Sequence, residues 1–139
     1  MRDERGLSAS VETALILPAV VLFVGLLLTL ARIAITDQHV EAAVAAAARA
    51  ASLERSVAAA QTAAGEALER SLGERGIDCL STGLTVDASG VARELGESAT
   101  VSVTATCTVG LGDVSLPFVP GSVRVASSHD SPVDPLRGK

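Results

Sequence analysis

The sequence predicts an α+β architecture: a long N-terminal transmembrane helix that continues outside the membrane, followed by a small antiparallel sheet. Three observations carry this. Residues 13–31 form an uncharged, almost wholly apolar run. Residues 40–72 are rich in Ala, Glu, Arg, Gln and Leu, which favour helix. Beyond Cys79 the pattern changes to short alternating stretches divided by Gly, Pro and Ser, the mark of strands and turns. The chain then divides into a polar head (1–12), a membrane helix (13–35), an Ala-rich outer helix (36–76), a β-rich region (77–128) and an extended tail (129–139).

The apolar run is close to the ~20 residues that a helix needs to cross a bilayer of roughly 30 Å. Leu15, Ile16, Leu17, Val20, Val21, Leu22, Phe23, Val24, Leu26, Leu27, Leu28 and Leu30 cover every face of that helix. It carries no amphipathic stripe, and so small a protein has no large core to hide it in; lipid is its natural solvent. Pro18 lacks the N–H that would bond one turn back, so a kink or a melted turn is expected there. Arg32 closes the run and can extend its guanidinium to the headgroups. A cleaved signal peptide is the competing reading. Its apolar region is shorter, about 7–15 residues, and Arg32 falls where the cleavage region would be. Thr29-Leu30-Ala31 is a poor cleavage site, and a retained helix fits better.

Residues 36–39 are polar but contain neither Gly nor Pro, so the helix is expected to continue without a break to about residue 72. Val40, Val44, Ala47 and Ala51 keep helical spacing. Val57, Gln61, Ala64, Leu68 and Leu72 keep it on a shifted register. Gly65 is a weak point, and Gly73 and Gly76 are stop signals. The alanines have two explanations, close packing against a sheet or a second helix, and simple helix propensity.

Residues 84–88 alternate and end in a Ser89-Gly90 turn. Residues 100–109 give the clearest strand, with Val101, Val103, Ala105, Cys107 and Val109 on one face and Thr or Ser on the other. A loop with Pro117 and Pro120 spans 110–121, and residues 122–127 read as the last strand. Cys107 points to the apolar face, toward the helix that Cys79 follows. Two isolated cysteines in a small domain outside the membrane suggest one disulfide; the alternative is a pair of buried thiols.

The chain has 139 residues and a net charge of −5. Outside the membrane run its single aromatic residue is Phe118. Alanine buries little area, so such a core needs support from a disulfide, a membrane or neighbouring subunits. The charge and the lack of a basic patch argue against a nucleic-acid partner. No catalytic constellation is present. His39 and His129 lack ligand-spaced neighbours, no nucleophile elbow surrounds a serine, and phosphate-binding glycine loops are missing. Asp130 and Asp134 read as solvated charges. The expectation is a protein that is not an enzyme, with no cofactor, metal or small-molecule substrate. Arg2 and Arg5 on one side of the run balance Arg32 and Arg49 on the other. The short head and the cysteine pair favour a cytoplasmic N-terminus and an extracytoplasmic C-terminal domain.

The order of elements resembles the TadE-like family, minor pilins or pseudopilins of tight-adherence (Flp-type) pilus systems. Arg5-Gly6 followed by Ser8-Ala9-Ser10-Val11-Glu12-Thr13-Ala14-Leu15-Ile16-Leu17-Pro18 carries the resemblance. Ser131-Pro132-Val133-Asp134 also looks like an ending common in such proteins. The resemblance implies a pilin-like fold and a role in pilus assembly or a related secretion apparatus, in the membrane, beside other pilin-like subunits and assembly proteins. It implies that a prepilin peptidase cuts between Gly6 and Leu7. It also implies that Glu12 pairs with the freed amine of a neighbouring subunit. A carboxylate at the edge of hydrocarbon needs a cation, and that amine supplies one. The alternative for Glu12 is a charge at headgroup level that fixes helix depth.

The sequence departs from the pilin pattern in two places. Glu12 stands sixth after the glycine, where many pilin-like proteins have it fifth, and Thr13 follows it. Variable spacing, shifted cleavage and no cleavage all stay open. Without cleavage the chain would be a single-pass anchor whose outer domain binds an envelope or secretion partner.

Overall fold

The computed structural model describes residues 5–94, 96–110, 112 and 121–136. Within the first helix, side chains are described from Ile16 onward. The order is α1 (Arg5–Ser52), α2 (Val57–Glu74), β1 (Ser81–Asp87), a 3-10 turn (Ser89–Ala92), β2 (Ala99–Gly110) and β3 (Ser122–Val133). The α+β class expected from the pattern is the one observed: a long apolar helix, a second helix, then a three-stranded antiparallel sheet.

α1 runs through Pro18 as helix, so the melted turn expected there does not form. The segment from Ile16 to Leu30 is exposed on all sides; Leu22 is 73% and Phe23 61% accessible. The hydroxyls of Thr29 and Thr36 donate to the carbonyls of Gly25 (2.9 Å) and Arg32 (3.0 Å), one turn back. Such bonds keep a threonine hydroxyl satisfied on an apolar helix. The helix is long and apolar enough to cross a membrane.

The single helix expected as far as residue 72 is two helices. Residues 53–56 break it, and α2 folds back along α1. Ser56 is the N-cap of α2, its hydroxyl accepting from the Ala59 N–H at 3.2 Å. The shift in apolar register was the trace of this break. On α1, Val40, Val44, Ala47 and Ala51 are buried as expected; on α2 the buried face is Ala60, Ala64, Leu68, Ser71 and Leu72, while Val57 and Gln61 face outward. The alanines serve close packing, because Ala43, Ala47, Ala48 and Ala51 of α1 and Ala60 and Ala64 of α2 are fully enclosed. Small side chains let the two backbones and the sheet approach closely. Gly65 lies inside α2 and does not break it.

α2 ends in a Schellman motif. The Ile77 N–H donates to the Leu72 carbonyl and the Gly76 N–H to the Gly73 carbonyl, both at 3.0 Å. Gly76 supplies the left-handed φ of 64° that this ending requires.

The sheet has the order β1-β2-β3. Val101, Val103, Ala105, Cys107 and Val109 of β2 are all buried beneath the helices, the alternation read from the sequence. β3 is longer than expected. It continues through residues 128–133, where Ser131 faces Val101 and Val133 faces Ala99, so the first half of the presumed tail is strand. Pro132 is tolerated there because β3 is an edge. The Ser131 hydroxyl donates to the Ser52 hydroxyl at 3.1 Å, tying β3 to the end of α1 inside the core. Of the loop expected at 110–121, only Gly110, Gly112 and Gly121 are among the described residues.

The 3-10 turn lies under β2. A Cβ added at Gly90 would sit 2.2 Å from the Thr100 carbonyl oxygen. Replacing Gly90 with Ala is therefore expected to lower stability by about 1–3 kcal/mol, read as a lower midpoint in thermal denaturation followed by far-ultraviolet circular dichroism. An unchanged midpoint would mean the turn can move off β2. Just before the turn, the Asp87 carboxylate accepts from the Ser89 N–H at 3.1 Å, which holds its carboxyl below the usual range.

Candidate assembly site on the long helix

Gly6, Leu7 and Glu12 lie on the first turns of α1, whose backbone is helical from Arg5. Their side chains fall outside the described ones, so the proposed scissile bond and the carboxylate are placed along the helix and no further. From Ile16 to Ala31 the helix presents an apolar cylinder that none of the other described residues covers. Beyond residue 39 the same helix becomes the first layer of the folded domain, with Val40 and Val44 almost fully buried. One continuous helix therefore carries both the N-terminal segment and the first layer of the core.

Cys79 and Cys107 are joined by a disulfide, with their Cα atoms 5.4 Å apart and a sequence separation of 28. Cys107 is 1% exposed on the inner face of β2. The bond ties the segment leaving α2 to the middle strand of the sheet. No free cysteine is present. Among the described residues, no group of three or more His, Cys, Asp or Glu is arranged to hold a metal ion.

The hairpin creates a feature the sequence did not announce. Where α1 leaves its apolar run, Arg32, Ile35, Thr36 and His39 line a cleft together with Arg75, Gly76, Ile77 and Asp78 at the end of α2 and Val109 of β2. The cleft has a volume of about 220 Å³. Arg32 was legible as the end of the run. Arg75 and Asp78 were not, because only the reversal at 53–56 brings them to that level.

Residues 8–49 match the family model described as TadE-like protein. No curated protein and no solved structure matches the chain. The matched stretch is nearly all of α1 and stops short of α2 and the sheet. It supports involvement in a tight-adherence pilus system.

Proposed function

We propose that this chain, with α1 as its TadE-like segment, is a membrane-anchored, pilin-like structural subunit. It acts in assembling a tight-adherence pilus or a related secretion apparatus, and its work is packing rather than catalysis. The observation that carries the reading is the coincidence of the matched residues 8–49 with α1, which holds Glu12, the exposed apolar cylinder and the first layer of the core. Helix–helix contacts in lipid depend on close packing and on polar groups finding partners. The uncovered cylinder is suited to such contacts with other pilin-like subunits. Glu12 adds a charge whose partner would be the amine freed by a prepilin peptidase. The N-terminus lies in the cytoplasm and the domain outside, where an oxidising compartment keeps the Cys79–Cys107 bond formed.

Mass spectrometry of the mature N-terminus, on protein from native membranes, tests the reading. Processing predicts a chain starting at Leu7. The sixth-position Glu12 favours a second reading, an unprocessed anchor with a binding domain outside; an intact Met1 or Arg2 would establish it in place of the first.

A further inference from the structure

We propose that the cleft between α1 and the end of α2 is a seat for the headgroup of an anionic phospholipid, with Arg32 and Arg75 holding its phosphate. The proposal rests on the membrane-anchored reading of α1. Depth is the first argument. The cleft begins at Arg32, one residue past the apolar run, and extends along α1 to His39. At ~1.5 Å per residue this covers roughly 10 Å of helix. The polar layer on each side of the hydrocarbon is about 5–7 Å deep. The wall formed by Arg32, Ile35 and Thr36 thus stands at headgroup level when residues 13–31 fill the hydrocarbon.

Charge is the second argument. The lining carries two guanidiniums and one carboxylate, Asp78, with His39 on the same wall. Two guanidiniums against one carboxylate leave the balance positive, which suits a headgroup with a net negative charge better than a zwitterion. Arginine is also the side chain best matched to phosphate, through paired N–H donors. The Arg75 guanidinium is positioned by its Nη1, which donates to the Ser71 hydroxyl at 2.9 Å and the Ser71 carbonyl at 3.3 Å. The negative end of α2 would oppose an anion, but three of its last carbonyls are occupied. Ser71 is covered by Arg75, and Leu72 and Gly73 accept within the Schellman motif.

Shape is the third argument. The cleft holds about 220 Å³, where one water needs roughly 10–15 Å³ by the same measure. Ile35, Ile77 and Val109 give it apolar walls. Ile35 is half exposed and continues the lipid-facing surface of α1, so an acyl chain can follow the helix while the headgroup enters the cleft.

Full-length protein in neutral detergent, titrated with phosphatidylglycerol, phosphatidylcholine or glycerol 3-phosphate and read by native mass spectrometry, tests the assignment. The wild type is expected to retain phosphatidylglycerol over phosphatidylcholine. Arg32→Gln and Arg75→Gln are each expected to cut that retention roughly three- to fivefold, the size of a partly exposed charge interaction. Arg70→Gln removes the same charge from an α2 residue outside the cleft and should retain the lipid. Equal retention by wild type and Arg75→Gln would overturn the proposal, as would an equal loss in Arg70→Gln, which would mean diffuse charge attraction. Binding of glycerol 3-phosphate as tight as that of the lipid would make the occupant a soluble phosphate and reject the lipid. Alkaline extraction of native membranes separates the two readings: wild type released to the soluble fraction would remove the membrane anchor itself, whereas wild type retained there confines any failure to the cleft.

Discussion

Replacing Cys107 with Ser is expected to lower the stability of the folded domain by about 3.5 kcal/mol, the chain-entropy value for a closed loop of this size. The sequence separation of 28 residues sets that value. A loss of that size takes a large share of the ~5–15 kcal/mol that holds a small domain folded. The share is large because the core is made of small side chains. Its fully enclosed positions are chiefly Ala and Val, with Leu68 the largest, and each alanine removes little apolar area from water. The inner face of β2 would also carry a serine hydroxyl at a site only 1% exposed, with a cost of its own. Full-length protein in detergent, denatured thermally with and without reductant, gives the measurement. Wild type with reductant and Cys107→Ser should both unfold well below oxidised wild type. Coincident transitions would show that the bond contributes nothing to stability.

Replacing Glu12 with Ala is expected to leave membrane insertion intact and to reduce recovery of pilin-like partners about a hundredfold. The physical basis is the cost of leaving one member of a desolvated ion pair alone, roughly 3 kcal/mol or more. Glu12→Lys distinguishes pairing from depth-setting. A lysine keeps a headgroup-level charge on the same turn of α1 but repels an amine. If Glu12 only fixes depth, Glu12→Lys assembles normally; if it pairs, Glu12→Lys fails as Ala does. Co-purification from cross-linked membranes, with alkaline extraction as the insertion control, reads both variants. Normal recovery of partners with Glu12→Ala would end the pairing role.

These two predictions differ in how much of their basis was visible before folding. The cysteines could be set on an apolar strand face and after a helix from alternation alone, because strand period and helix composition are local properties. Their bond then followed from the way the helical hairpin lies on the sheet. Glu12 was visible as an ionisable residue at the edge of an apolar run, a position that is costly by itself.

Local pattern also misled where burial outweighed propensity. Residues 53–56 contain no Gly or Pro, and everything around them favours helix. The chain turns there because folding back encloses Ala60, Ala64, Leu68 and Leu72 against α1 and the sheet. One straight helix would have left those residues in water. Residues 128–133 are mostly polar and include Pro132, so composition pointed to a tail. They are strand because β2 offers a paired backbone edge along that whole length, and an edge strand tolerates proline.

Composition and period, read along the chain, thus determined the apolar helix, the alternating face of β2 and the α+β class, while the residue order from Arg5 to Pro18 carried the TadE-like resemblance. Each depends on neighbours within a few positions. Only the tertiary structure decided the reversal between α1 and α2, the length of β3, the Ser52–Ser131 bond inside the core and the meeting of Arg32 with Arg75. Those arise between segments distant in sequence, where the gain from closing a small-residue core exceeds what any local signal contributes.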